Sequence, residues 1–390
     1  MLCCSCDSPL RVRGDFGARA VDYRSRSSPA AATGFSLGCS RTDDFAPDRS
    51  QQTQHFVLFA FADAALEHGV IVPLNLVTPG FGVPIVWIMQ NCQVPPLLSL
   101  AESVGATGQD LALAYVVGFE TECRIGRGVH HHHYDKGWHP TATLGIFGTV
   151  AAAARILHMT VEQTAVALGM AASFASGLKA NFGTMTKPFH AGYAARVGVL
   201  SAWMAKHGFT ADENIFDGDN NFFSTYGGND GTPLSATIDK LGQPWEMLEP
   251  GIYVKRWPCC YCNHRPVGGM LKLIAQHNIR ADEVEAVEIG FLPGSDTALV
   301  SSDPHTGLEG KFSIEYNGAA VLLDGKLTLE TFTDPMVQRP AIRDLMKKVK
   351  RYRIEAKGTF SGVVGYSDVM IATKRGRHEL RIEHAPGSPE

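Results

Sequence analysis

No run of about 18 apolar residues is free of both charge and proline, so a membrane span is not expected. The most apolar stretch, residues 69–100, is broken by Pro73, Pro79, Pro84, Pro95 and Pro96. An excess of either charge is also missing: 35 Lys and Arg against 39 Asp and Glu leave a net charge of −4. That balance points to neither nucleic acid nor an anionic membrane surface as partner. There is no Gly-rich phosphate loop, dinucleotide fingerprint, HExxH or G-x-S-x-G motif, so no nucleotide cofactor is expected. A disulfide framework is lacking too. The nine cysteines include the groups Cys3, Cys4, Cys6 and Cys259, Cys260, Cys262, whose members are poor partners for one another. This favours a reducing compartment, cytoplasmic or, in a eukaryote, mitochondrial. The Arg and Ser of the first 30 residues hint at a transit peptide, which Asp7, Asp15 and Asp22 argue against. Cys259-x-x-Cys262 with His264 nearby has no second paired half-site, so no metal is expected.

What is present suits two domains, the default for 390 residues. Residues 1–54 are rich in Arg, Ser, Asp and Gly and read as loop or disorder. A short helix is expected over 56–66, and 70–96 shows no clear period. Helical patterning begins at residue 97. Thr107 with Asp110, and Thr160 with Gln163, are start signals for helices over 108–125 and 161–176. Further helices are expected over 145–158, 190–207 and 265–278, many of them dense in Ala and Gly, which lets helices approach closely. Residues 94–281 are therefore expected to form an all-α domain. The pattern then changes. Alternation over 284–291 predicts a strand, 311–323 a helix, 334–350 a helix ending in basic residues, and 369–384 a hairpin turning at Arg375 and Gly376. The expected fold class is mainly α with an α+β second domain over 282–390, and residues 1–93 stand apart as an atypical N-terminal segment.

The candidate chemistry sits at helix mouths. Pro140 suits the first turn of a helix and pushes the residue before it to an extended conformation. His139 is thereby expected beside backbone N–H groups that favour anions, as an acid or base. The run His130–His133 is conspicuous, but four adjacent histidines cannot face one metal, and a solvated loop is expected there. Lys187, between Gly183 and an apolar helix, can present a point charge to a carboxylate. The segment from Lys255 to Arg265 repeats this design, with cations, an aromatic and His264 opening a helix. Lys, His and Arg at helix mouths suit a small polycarboxylate and acid/base chemistry. Tyr316 reads from its segment alone as a packed aromatic.

The segments Ala114-Tyr-Val-Val-Gly-Phe-Glu120, Gly137-Trp-His-Pro-Thr141, Gly183-Thr-Met-Thr-Lys-Pro-Phe-His190, Lys255-Arg-Trp-Pro-Cys-Cys260 with His264, and Gly307-Leu-Glu-Gly-Lys-Phe-Ser-Ile-Glu-Tyr316, in that order, resemble the MmgE/PrpD family. The likeness runs from about residue 94 onward, roughly three quarters of the chain. It implies a helical domain with a smaller α+β lid, a homodimer, and a lyase that needs no cofactor and acts on a tricarboxylic acid. The leading expectation is a hydro-lyase resembling 2-methylcitrate dehydratase of propionate metabolism. The alternatives are a cis-aconitate decarboxylase-like lyase and an inactive member that only binds polycarboxylates. The resemblance assigns His139, His264 and Tyr316 to catalysis and Lys187, Lys255 and Arg265 to substrate binding. Two departures stand out. Some members carry a histidine five residues after the clamp lysine, where this chain has Cys260. Members also carry an Asp-Asp-x-His segment before the first helix, whereas residues 71–93 contain no Asp, Glu or His. That stretch is expected to come from a shifted reading frame or a wrongly joined gene model, and the C-terminal return helices are expected to be absent.

Overall fold

Several helices begin where the sequence supplies a cap or a proline. A computed structural model describes residues 76–77, 92–227, 238–358 and 360–389, with the side chains of 76, 77 and 130 excepted. The loop expected over 1–54 and the helix over 56–66 lie outside the described residues. Helix α1 (Val94–Val104) carries proline in its first turn and ends on Gly105, whose φ of 69° suits a residue without Cβ. Helix α2 (Gly108–Asp135) opens with a capping box: Asp110 N donates to Thr107 Oγ1 at 3.1 Å and Thr107 N to Asp110 Oδ2 at 3.1 Å. After His139 come α3 (Pro140–Thr143) and α4 (Gly145–Ile156). Helix α5 (Val161–Phe174) opens with the Thr160–Gln163 box, and α6 (Thr186–Lys206) completes the core.

Helix α4 is the centre of this stack, buried at every position except Arg155. Backbones come close because side chains are missing where they meet. A Cβ on Gly118 of α2 would lie 2.5 Å from Gly148 O of α4, and one on Gly198 of α6 would lie 2.6 Å from Thr149 Cβ. Fully buried side chains such as Phe147 then contribute about 1.5–3 kcal/mol each. Helix α2 runs ten residues past the expected end at Ile125 and takes in all four histidines. The solvated loop expected there is corrected. His133 is buried and stacks on Trp138, with ring centroids 6.1 Å apart, so the last turn has its own packing to hold it.

The second part is a four-stranded mixed sheet. In chain order a short strand β1 (Leu76–Val77) pairs antiparallel with β2 (Tyr253–Val254), away from that sheet. The sheet itself has β4 (Val349–Arg353), β3 (Val284–Phe291), β5 (Ser367–Thr373) and β6 (Gly376–Ile382) side by side in that order. β3 is parallel to β4 and antiparallel to β5, which forms the expected hairpin with β6. α7 (Phe222–Tyr226) packs on α2 in the helical part. The helix α8 (His264–His277) was expected to close the helical domain, but its Val267, Met270 and Leu273 bury in the sheet's core with Val287 and Ile289. The α+β part therefore starts before residue 264.

The helix expected over 311–323 is split into α9 (Gly307–Gly310) and α10 (Ile314–Asp324). The break is made by Ser313, whose hydroxyl accepts from Tyr316 N at 3.1 Å as a fresh cap. The helix expected over 334–350 is likewise corrected to α11 (Asp334–Val337) and α12 (Pro340–Met346), followed by β4. Pro340 cannot continue a helix, and the basic residues end up on a strand.

Candidate active site

The mouths of α3 and α6 face the turn between β2 and α8 and the break between α9 and α10. His139 is the N-cap of α3, extended at φ −99° and ψ 100° as Pro140 requires. Its N–H donates to Gly177 O at 3.0 Å, and only 3% of it is exposed. His139 Nδ1 lies 2.9 Å from His190 Nδ1. Only one of those two nitrogens can carry the shared hydrogen. The donating ring, when neutral, therefore has a bare Nε2, and the accepting ring has an Nε2–H. One contact thus presents a base and an acid side by side.

Lys187 lies in the first turn of α6, three residues before His190 and on the same side of the helix. Its Nζ stands 5.5 Å from the ring centres of both Phe182 and Phe312, within cation–π range. Lys255 follows β2, and Lys311 sits in the α9–α10 break. Burial, then Lys255, brings Lys187 down to about 7, with Lys311 adding to the repulsion and Cys260 opposing it. Lys255 is lowered by burial against the pull of the Cys259, Cys260 and Cys262 thiols. Lys311 is lowered by burial, with Cys259 opposing and Lys255 reinforcing. His139 is held well below the usual histidine range by burial first, then by Lys187, His190 and Lys255. Neither Lys255 nor Lys311 forms an ion pair with a described residue. Three crowded ammonium groups repel one another until an anion arrives.

The expected residues divide. His139, Lys187 and Lys255 share one electrostatic neighbourhood. His264 is fully buried in an aromatic box, stacked on Tyr261 at 4.7 Å and against Trp257 at 5.1 Å. Neither of its nitrogens meets a partner at hydrogen-bonding geometry, the Trp257 and Cys259 carbonyls being nearby acceptors. Burial and Lys255 keep it neutral. Arg265 is committed elsewhere: Nε donates to Glu383 O at 3.0 Å, Nη1 to Ser361 O at 3.3 Å, and Nη2 to Val363 O. It ties α8 to the C-terminal loops. The Tyr316 hydroxyl donates to Thr331 O inside the α+β part, and burial pushes it up to about 12. Both side chains are hydrogen-bonded to carbonyls of the α+β part.

Other residues escaped the sequence reading. His190 had a signal in its spacing from Lys187. Lys311 had none, since only tertiary structure brings it to the others. His133, set aside in the histidine run, donates from Nδ1 to Tyr226 O at 2.9 Å, because a carbonyl can only accept. Its Nε2 then accepts from Thr143 Oγ1 at 2.6 Å, bracing the helix that follows His139. Burial drives it down to about 4. Among the described residues no three of His, Cys, Asp and Glu are placed to hold a metal ion.

Models of the MmgE/PrpD N-terminal and C-terminal domains match residues 85–234 and 257–390. The chain belongs to the MmgE/PrpD family. The candidate site draws on both matches, with His139, Lys187 and His190 in one and Lys311 in the other. The N-terminal match begins within the segment read from the sequence as atypical. The chain is 29% identical over 276 residues to the mouse cis-aconitate decarboxylase, covering 66% of this chain and 54% of that protein. It is 27% identical over 270 residues to the human cis-aconitate decarboxylase, covering 66% and 54%. It is 28% identical over 260 residues to that of Aspergillus terreus, covering 62% and 53%. The chain spans about half the length of the curated relatives it matches.

Proposed function

We propose that this family member is a lyase for an unsaturated tricarboxylate, of the cis-aconitate decarboxylase kind. The observation that carries the reading is the convergence of Lys187, Lys255 and Lys311 beside the His139–His190 pair. No carboxylate of the described residues is among the charges acting most strongly on them. Three carboxylates of a ligand meet three ammonium groups. As the C–C bond to the departing CO₂ breaks, its electron pair spreads toward a remaining carboxylate, where an ammonium group offsets the charge. A proton then goes to carbon from a positioned acid. The relatives named cis-aconitate decarboxylase favour this reading over water elimination from 2-methylcitrate.

The test incubates the purified protein, without added metal or cofactor, with cis-aconitate and separately with 2-methylcitrate, following CO₂ and alkene absorbance. Release of CO₂ from cis-aconitate is the expected result. New alkene absorbance from 2-methylcitrate with no CO₂ from either would replace it with the hydro-lyase reading. Turnover of neither, with cis-aconitate still raising the melting temperature, would leave a binding protein.

A further inference from the structure

His133 holds the chain on both sides of His139. Ahead of it, Trp138 N donates to His133 O at 3.3 Å, and the two rings stack with centroids 6.1 Å apart. Beyond it, the Thr143 hydroxyl lies 2.6 Å from His133 Nε2. The helix between, α3, is four residues long, too short to fix its own place by internal hydrogen bonds. The contacts close into a ring. His133 Nδ1 donates to Tyr226 O at 2.9 Å, and the Tyr226 phenol donates to Ala175 O at 2.5 Å. Two residues on, Gly177 O accepts from His139 N at 3.0 Å. Gly177 also borders the partner imidazole: a Cβ there would lie 2.8 Å from Ala142 Cβ and 3.4 Å from His190 Cγ. His133 and Thr143 are both buried, so water does not compete for these bonds.

Hydrogen counting gives the Thr143 contact a direction. A carbonyl only accepts, so His133 Nδ1 carries its hydrogen and, in the neutral ring, Nε2 is bare. Thr143 has one hydroxyl hydrogen and two acceptors in reach, His133 Nε2 at 2.6 Å and His139 O at 3.3 Å. The shorter contact takes it while the imidazole is neutral. A proton on Nε2 would reverse that contact and turn the hydroxyl hydrogen onto His139 O. Facing the ring are Lys136 from its own helix, the Tyr226 phenol from α7 and His139 from the mouth of α3. Burial, opposed by the Tyr226 carbonyl and reinforced by Lys136, keeps the ring neutral.

We propose that His133 and Thr143 are positioning residues for His139, setting through α3 the angle at which its imidazole meets His190. The inference rests on the lyase reading above, in which His139 is an acid or base. The two residues act through the backbone. The Nδ1 contact of 2.9 Å between His139 and His190 depends on where α3 starts, and His133 fixes the residue before that start and the last residue of the helix. A tilt of the His139 ring weakens the shared hydrogen bond, and with it the placing of base and acid side by side.

The test compares Thr143→Val, which keeps the shape and drops the hydroxyl, with Thr143→Ser, which keeps the hydroxyl. Each full-length variant is read by CO₂ release from cis-aconitate and by imidazole NMR spectra of isotope-labelled protein, His139 being assigned from its loss in His139→Ala. Thr143→Val is expected to lower kcat about tenfold, with KM within about twofold of wild type, and to move the His139 signals. Thr143→Ser is expected to restore both. His133→Asn, which can donate to Tyr226 O but is too short to meet Thr143, is expected to match the Val variant. Combining the two is expected to cost no more than either alone. A Val variant with wild-type kcat, a loss carried by KM, or unmoved His139 signals overturns the proposal. So does a Ser variant as impaired as the Val variant, or losses that add in the double variant. Should Thr143→Val fail to fold, His133→Asn decides by the same two readings. Should the wild-type protein release no CO₂, the decarboxylase reading fails by itself. The spectra then decide the positioning: His139 signals moved by Val and restored by Ser sustain it, and signals unmoved by Val overturn it.

Discussion

The two walls of the site are built by different means and bring different chemistry. On the helical wall, His139, Lys187 and His190 stand at the mouths of α3 and α6, fixed by helix geometry and by the Nδ1 contact of 2.9 Å. On the proposed reading this wall handles protons. On the α+β wall, Lys255, Cys260 and Lys311 come from turns and a helix break, joined by bonds from Cys260 N and Asn263 Nδ2 to Lys311 O. On the same reading that wall handles charge. A helix mouth places a ring with little freedom, whereas a lysine on a turn can follow a ligand of variable shape.

Substitutions that separate the walls should separate the kinetic constants. The largest effect is expected from His139→Ala, which removes half of the imidazole pair: kcat falls about 1,000-fold with KM little changed, measured by CO₂ release. If KM rises instead while kcat holds, the helical wall binds rather than reacts, and the contrast collapses.

Next comes Glu122, beneath the helical wall. It accepts from Gln93 Nε2 at 2.6 Å on Oε2, while its Oε1 is buried with no hydrogen-bond partner among the described residues. Burial raises its carboxyl to about 8, against the lowering effect of Gln93. The folded state thus holds the proton to higher pH than the unfolded chain does. Below the unfolded value both states are protonated, and the group is neutral to stability. As pH climbs from there to about 8 the unfolded chain ionises first, and stability falls by about 1.4 kcal/mol per pH unit, several kcal/mol in all. Glu122→Gln is expected to flatten this slope in urea denaturation at pH 5 and pH 8. Equal slopes for wild type and variant would show that the carboxyl is not held protonated.

The smallest effect belongs to the charged wall. Lys311→Met is expected to raise KM for a tricarboxylate about tenfold, in line with about 1.5–3 kcal/mol for a hydrogen bond to a charged group, with a lesser change in kcat. Steady-state kinetics decide it, and a change confined to kcat would move Lys311 from binding to chemistry.

The same division governs what could be read from the sequence. Pro140 announced the extended His139, and the boxes at Thr107 and Thr160 announced their helices, because each signal spans a few residues. The strand over 284–291 and the hairpin were legible from alternation and a turn. The length of α2 was not, since its last turns are tied to Tyr226 and Gly227, about 90 residues away, through His133 and Lys136. Lys311 was invisible for the same reason. Arg265 looked chemical at a helix mouth and Tyr316 entered only through the resemblance, but carbonyls of the α+β part accept from both.

The glycine contacts of the helical stack carry one more consequence. Helix α4 follows directly on His139 and α3, while α6 carries His190, and the distance between α4 and α6 is set where Gly198 meets Thr149. Gly198 lies eight residues beyond His190, about 12 Å along the helix. The alignment of the two imidazoles is thus gauged remotely, where Gly198 meets the Thr149 side chain with no room for even a methyl group. Evolution or an engineer can vary the lysine turns with some freedom, but the spacing of the proton pair has the tolerance of a single hydrogen atom.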